Sequence, residues 1–104
     1  MTLSEAQFFE VGGDTMFPAN SDGARVLFYT PNENYGEIKL PNGETADNYC
    51  YLAICKYEND KNYYLFCCNE KYEDVNDTVW ESVEKCMSVA SSYKENIEWV
   101  NYYV

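Results

Sequence analysis

Residues 48–57 and 63–69 form two apolar runs that are separated by the polar segment 58–62. In an extended strand, alternate side chains point to opposite faces, so both faces of 48–57 would be largely apolar. A strand that is apolar on both faces must be covered on both sides, and we expect it in the middle of a sheet. The polar segment is typical of a hairpin loop, which makes 63–69 the antiparallel partner. This hairpin constrains the fold more than any other feature.

Shorter stretches rich in β-branched, aromatic or alternating residues predict further strands. These are residues 8–11, 24–30, 36–44, 75–79 and 97–104, the last as a strand or a packed tail. Pro41, Asn42 and Gly43 are turn residues that close the stretch 36–44. Residues 2–5 fit a capping box for a single helical turn, and 14–23 have the composition of a loop.

One helix is predicted after Ser82, a residue type that is favoured as an N-cap. Apolar residues then recur at helical spacing, namely Val83, Cys86, Met87, Ala90 and Tyr93. Such a stripe fits one helix face packed on a sheet, and Asn96 is a stop signal. Strands followed by one late helix predict an α+β fold, an antiparallel β-sheet of about four to six strands with one C-terminal helix packed across one face. At 104 residues, 1–104 is expected to be a single domain.

The charge of the chain restricts its partners. Eighteen acidic residues against seven basic ones give a net charge of −11, which would repel nucleic acids and anionic membranes. The same field would attract a basic protein, although acidity that serves solubility alone is an equally open interpretation. The chain also has eleven tyrosines, too many for a small interior, so several are expected at the surface.

The residues that usually carry out catalysis or bind metals are scarce. The chain has no histidine, and its five cysteines include no Cys-x-x-Cys pair, so we expect reduced, buried thiols and no metal site. No phosphate-binding glycine motif is present, and the many carboxylate pairs match no catalytic or calcium-binding pattern. We therefore expect neither a cofactor nor an enzymatic activity.

The segment 69–84 is the candidate binding surface, because it combines six carboxylates with two large aromatic rings. The candidate partner-binding residues are Glu70, Tyr72, Glu73, Asp74, Asp77, Trp80, Glu81 and Glu84. Rings supply buried contact area and carboxylates pair with lysine or arginine of a partner. The alternative is a solvated turn and helix start, in which Glu81 and Glu84 stabilise the helix dipole.

The C-terminal half resembles the ending of small bacterial immunity proteins of polymorphic-toxin and contact-dependent inhibition systems. The matching residues are Tyr64-Leu65-Phe66, the acidic turn 69–74, Asp77-Thr78, the Ser-initiated stretch 82–93 and Trp99. The resemblance covers about forty residues and does not extend to the first half. It implies an antidote that binds a cognate toxin domain and blocks it, and it carries over no individual binding residue.

The leading hypothesis is therefore an immunity or inhibitor protein that neutralises a basic toxin, a nuclease for example, through an acidic and tyrosine-rich surface. Two alternatives remain open, a phage-encoded nucleic-acid mimic that inhibits a nuclease and a small ligand-binding domain. The first residues lack the basic and apolar regions of an export signal, and the longest apolar run, 63–68, is too short for a membrane span. We expect a cytoplasmic protein.

Overall fold

The computed structural model describes residues 17–102, and these residues form an α+β fold, as the sequence predicts. In chain order the elements are β1 (Asn20–Ser21), β2 (Ala24–Tyr29), β3 (Glu37–Lys39), β4 (Thr45–Asn48), β5 (Tyr51–Lys56), β6 (Tyr63–Cys68), β7 (Asp74–Trp80), α1 (Val83–Ala90) and β8 (Val100–Asn101). The predicted helical turn at 2–5 and the predicted strand at 8–11 lie outside the described residues.

The main sheet is antiparallel, and its strand order is β1-β2-β5-β6-β7, with β8 also paired to β2. Strand β5 lies between β2 and β6, which confirms its predicted place in the middle of the sheet. The hairpin β5–β6 runs in register from Tyr51 opposite Cys68 to Cys55 opposite Tyr64. Residues 52–55 are completely buried, because a central strand is covered on both faces.

Two cores form on opposite faces of this sheet. The helix face carries buried residues from the sheet, the connecting loop and the helix: Tyr35, Leu52, Ile54, Leu65, Cys67, Cys86 and Ala90. The opposite face, here called the tyrosine face, buries Phe17, Ala24, Val26, Ala53, Cys55, Phe66 and Cys68, with six half-buried tyrosines around them. The adjacent Cys67 and Cys68 thus lie on different faces, as strand geometry predicts.

Helix α1 begins as predicted and ends earlier than predicted. The Ser82 hydroxyl accepts a hydrogen bond from the Lys85 amide at 3.0 Å, which is the N-cap bond expected of serine. The helix ends at Ala90, so the prediction that it continues to Tyr93 and stops at Asn96 is wrong. The Ser91 hydroxyl donates to the Ser88 carbonyl at 2.6 Å, and serine side chains compete in this way with helical backbone bonds.

The segment 36–48 also differs from the prediction. Strands β3 and β4 pair with each other in a separate two-stranded sheet, and β4 is not the start of β5. Most residues from 37 to 48 are exposed, so this hairpin has little apolar surface with which to join the main sheet. The predicted loop 14–23 contains the two-residue strand β1, and the predicted C-terminal strand is confirmed in part by β8.

The main sheet curls, so that its two outer strands approach each other. Ser21 in β1 and Asp22 directly after it lie at one end of the strand order, yet they line the same cavity as Tyr72 and Asp74 at the other end. Irregular registers in β2 and at the start of β7 mark bulges, which increase the twist of a sheet. Among the described residues, no helix has the length and apolar character needed to cross a bilayer.

Candidate functional site

The acidic turn between β6 and β7 is organised by the Asn69 side chain, which is nearly buried at 7% exposure. Its Oδ1 accepts hydrogen bonds from the backbone amides of Lys71 at 2.9 Å and Glu73 at 3.0 Å. Its Nδ2 donates to the Glu73 carboxylate at 2.8 Å and to the Asp47 carboxylate at 3.2 Å. One amide group thus fixes the turn and ties it to strand β4.

Tyr72 occupies a backbone conformation that is uncommon for a bulky residue, with φ of +67°. Its amide donates to the Asn69 carbonyl at 3.0 Å, which holds the turn closed. The ring packs edge-on against Phe17 with centroids 5.2 Å apart, and against Tyr51 with centroids 4.8 Å apart. Tyr72 is therefore half-buried and held rigidly on the tyrosine face.

A bulge at the start of β7 places two carboxylates on one face of the strand. Asp74 pairs with Cys68 and Asp77 with Phe66, but Asn76 pairs with Cys67, so the residue between Asp74 and Asn76 is extra. Asp74 and Asp77 consequently share a side of the sheet, although their spacing of three would separate them in a regular strand.

The pKa of Asp74 is raised from its ordinary value of 3.8 to about 7. Burial is the largest cause, followed by the hydrogen bond with the Asp77 carboxyl group and the charge of Asp77. The Asn76 amide lowers this pKa, while the charge of Asp22 raises it further. A carboxylic acid that keeps its proton near neutral pH therefore lies at the edge of the sheet.

The structure divides the eight predicted residues into two groups. Glu70, Tyr72, Glu73, Asp74 and Asp77 lie together at the turn and the start of β7, and we refer to them as the turn group. Trp80, Glu81 and Glu84 lie at or beyond the other end of β7, and at the usual rise per residue Trp80 is about 20 Å from Asp74 and about 10 Å from Asp77. Trp80 packs on the helix face, opposite to the turn group.

The end of segment 69–84 that leads into the helix lies close to a cation of this chain, Lys85. The Lys85 ammonium lies 5.6 Å from the centroid of the Trp80 ring, and the Trp80 indole donates to the Thr78 hydroxyl at 2.6 Å. Between described residues there are two ion pairs, Lys39–Glu37 and Lys94–Glu33, and neither involves the turn group. The turn-group carboxylates, like those of Glu81 and Glu84, therefore form no ion pair with a lysine or arginine of residues 17–102.

Sequence reasoning missed three residues that join this surface. Asp47 is bound by Asn69, and Ser21 and Asp22 reach the turn group because the sheet curls. Ser21, Asp22, Tyr72, Glu73 and Asp74 line a cavity of about 340 Å³, which we call the acidic pocket. The sequence signal for Asp22 is the Asp22-Gly23 pair, which is typical of a turn and so puts a carboxylate at a loop tip. In the structure both residues have the left-handed backbone of such a turn, with φ of +51° and +84°.

The cysteines are structural residues, as their apolar surroundings predict. All five are free thiols, and four of them are buried while Cys50 is half-buried. Burial raises the pKa of Cys67 and of Cys86 to about 11, so both stay protonated at neutral pH. Among residues 17–102, no group of three or more carboxylates or thiols is arranged to hold a metal ion.

A second cavity, of about 440 Å³, has a different chemical character. It is lined by Asn20, Gly23, Arg25, Lys56, Tyr57 and Glu58. Arg25 and Lys56 are cross-strand partners, and Lys56 donates to the Asp60 carbonyl and lies 5.9 Å from the centroid of the Tyr63 ring. This cavity mixes charges of both signs. The acidic pocket, by contrast, is lined by residues of the turn group and therefore continues it.

Comparison of the chain with protein-family models, with curated proteins and with solved structures finds no match.

Proposed function

We propose that this protein is an immunity or inhibitor protein that binds a cognate basic toxin, with nucleases as the first candidates, through the turn group. One observation carries the proposal. The turn group brings four carboxylates and a packed tyrosine together at a turn fixed by Asn69 and on the adjoining strand β7, and none of these carboxylates forms an ion pair with a lysine or arginine of residues 17–102.

The fixed conformation of the turn favours a binding role over the alternative of a solvated turn. A surface that is already fixed loses little conformational entropy when a partner binds, and this increases affinity. Asn69 bonds to two backbone amides and two carboxylates, and the Tyr72 ring is packed against two other rings. The Asn69 bonds also stabilise the fold, but they leave the carboxylates of Glu70 and Asp77 exposed within the same acidic group, where like charges repel in the absence of a cationic partner.

The net charge of −11 supports the same partner at long range. An acidic protein attracts a basic one before contact, and such steering raises association rates to about 10⁸ M⁻¹s⁻¹ or more at low salt. In the proposed mechanism the carboxylates occupy positions on the toxin that would otherwise bind phosphate groups. Inhibition then follows from occlusion in the cytoplasm of the producing cell and needs no bond-making step.

Co-expression with the toxin tests this proposal directly. Cells that express the neighbouring gene product under an inducible promoter should lose viability, and expression of this protein should restore growth. A matched variant, Glu70→Lys with Asp77→Lys, should rescue poorly, whereas Glu44→Lys with Glu95→Lys changes the net charge equally outside the turn group and should still rescue. All four residues are exposed, so neither variant disturbs the core.

The outcomes separate the competing functions. Unchanged viability in the presence of this protein, with a toxin that kills on its own, would contradict the immunity proposal. Capture of a nuclease encoded elsewhere, together with no effect on the neighbouring gene product, would support the nucleic-acid mimic instead. Equal rescue by the two double variants would place the contact outside the turn group.

A further inference from the structure

We propose that the acidic pocket is a binding site for one cationic side chain, a lysine or an arginine, of the protein partner. The identity of the occupant as a partner side chain rests on the proposed function, whereas the cation chemistry of the pocket rests on the residues that line it. These residues come from both ends of the strand order, so the site exists only because the sheet curls.

The size of the pocket suits a single side chain. At about 340 Å³ it lies near the lower limit of small-molecule pockets, which run from about 300 to 1,000 Å³. One wall is the end of β1 and the turn after it, with Ser21 and Asp22, and the other is the start of β7. Tyr72 lies between them, and its packed ring offers an apolar surface to the methylene stem of lysine or arginine.

The polar groups of the pocket match a cation. Asp22, Glu73 and Asp74 carry three carboxyl groups, and ionised carboxylates only accept hydrogen bonds. Lysine and arginine only donate, with three and five N–H groups respectively. Bonds between such charged partners are stronger than neutral ones, and the guanidinium group can reach two carboxylate oxygens at once.

Ser21 provides an independent sign that the pocket is made for a ligand. Its side chain lines the pocket at only 7% exposure, and its hydroxyl forms no hydrogen bond with any residue in the described range 17–102. A buried hydroxyl without a partner is unfavourable. A ligand N–H group that reaches this oxygen would satisfy it, since a hydroxyl accepts as well as donates hydrogen bonds, and the carboxyl groups around it select a ligand that is cationic.

The protonation state of the pocket should change when a cation binds. Asp74 faces Asp77 on its own strand, Asp22 on the turn after β1, Cys68 on β6 and Tyr57 beyond β5. None of these neighbours is a cation, and a bound ammonium or guanidinium would favour the ionised carboxylate. Binding should therefore strengthen as the pH rises from about 6 to 8, a range that brackets the Asp74 pKa of about 7.

Nuclear magnetic resonance of the full chain tests the pocket without any toxin. Argininamide with an acetylated α-amino group is the probe, and citrullinamide acetylated in the same way is the control, since it has nearly the same shape and carries no charge. Argininamide should shift the amide signals of residues 21–23 and 72–74 with saturable, weak affinity that increases from pH 6 to pH 8. Citrullinamide and sodium chloride at matched ionic strength should leave these signals in place.

Three variants make the result specific. Asp22→Asn removes one charge and keeps the left-handed backbone at φ of +51°, which asparagine tolerates, so the turn is preserved. It should weaken argininamide binding about tenfold, because the acceptor of the guanidinium hydrogen bond loses its negative charge. Glu95→Gln makes the same charge change at an exposed site outside the pocket and should have no effect. Ser21→Ala keeps the charge and should weaken binding several-fold.

Three results would overturn the inference. These are equal shifts with argininamide and citrullinamide, shifts spread over all acidic residues, or equal affinity of Asp22→Asn and Glu95→Gln. The test is separate from that of the proposed function. If the protein binds argininamide but does not rescue cells, the immunity proposal is contradicted and the cation pocket is not. If the protein rescues cells but does not bind argininamide, the cation pocket is contradicted and the immunity proposal is not.

Discussion

Asp74 shows how its surroundings change the chemistry of a single residue. It lies between Glu73 and Val75 in the sequence, and only the bulge in β7 brings it beside Asp77. Two carboxyl groups that share a hydrogen bond cannot both ionise easily, so Asp74 retains a proton to about pH 7. The turn group therefore has a lower negative charge below neutral pH than a count of carboxylates suggests.

At the scale of this residue we predict a pH-dependent gain of stability in Asp74→Asn. Because its folded-state pKa lies above the ordinary value, the folded state binds more protons between about pH 4 and 7. The stability contribution of Asp74 is then full below about pH 4 and is lost as the pH rises through 7. Asn carries no charge, so at pH 8 the variant should be more stable than the natural protein by about 1 kcal/mol, since solvent screens this half-buried group.

Urea denaturation at pH 4.5 and pH 8 measures this effect. The difference in unfolding free energy between Asp74→Asn and the natural protein should be small at pH 4.5 and favour the variant at pH 8. Glu95→Gln controls for the loss of one negative charge from an acidic protein. An equal effect of Asp74→Asn at the two pH values would show that Asp74 does not titrate in this range.

The turn between β6 and β7 is the element on which the candidate site depends. Four hydrogen bonds of the Asn69 side chain connect its backbone, the Glu73 carboxylate and strand β4. Elsewhere the Asn34 side chain makes the simpler version of the same turn, accepting one hydrogen bond from the Gly36 amide at 3.1 Å while exposed to solvent. The two asparagines therefore form a matched pair for substitution.

At this scale we predict that Asn69→Ala lowers the unfolding free energy by about 2–3 kcal/mol, because buried partners lose their hydrogen bonds. Asn34→Ala should cost about 0.5–1 kcal/mol, since water can replace one exposed bond. Urea denaturation at pH 7 gives both values. Neither substitution changes the net charge, so weaker toxin binding by Asn69→Ala alone would come from the loss of turn order. Equal costs for the two variants would contradict the organising role of Asn69.

Local signals predicted the long strands of the main sheet and the start of the helix better than they predicted short strands and where elements end. The two apolar runs predicted β5 and β6, and Ser82 predicted the start of α1. Apolar runs and N-caps can be recognised from neighbouring residues alone. The end of α1 and the separate pairing of β3 with β4 depend on competing hydrogen bonds and on burial. The Ser91–Ser88 hydrogen bond and the exposure of residues 37–48 are properties of the folded structure, and residue propensity and apolar period alone do not contain them.

The whole molecule combines an acidic field with a localised binding surface, and these two contributions can be separated. Net charge acts on the rate of association, while close contacts act mainly on dissociation. The variant Glu70→Lys with Asp77→Lys and the control Glu44→Lys with Glu95→Lys raise the net charge equally. Both should slow association with the toxin, but only the first should also accelerate dissociation.

Binding kinetics at several salt concentrations test this prediction. Removal of one member of an interfacial charge pair costs about 2–5 kcal/mol, so the first variant should dissociate at least about tenfold faster. Increasing salt from 50 to 300 mM should slow association for all forms of the protein. Dissociation rates that are the same in both variants would show that the toxin contacts another surface.

The sequence by itself determined the apolar hairpin, the capped helix and the surplus of negative charge, because period, capping and charge are local or additive properties. It also placed the five residues of the turn group close together, since they lie within eight positions of the chain. Only the tertiary structure decided that Trp80 faces the opposite side, that Asp74 and Asp77 share a face, and that Ser21 and Asp22 complete a pocket about fifty residues away in sequence. These outcomes depend on one bulge and on the curl of the sheet, which arise from the packing of all its strands together.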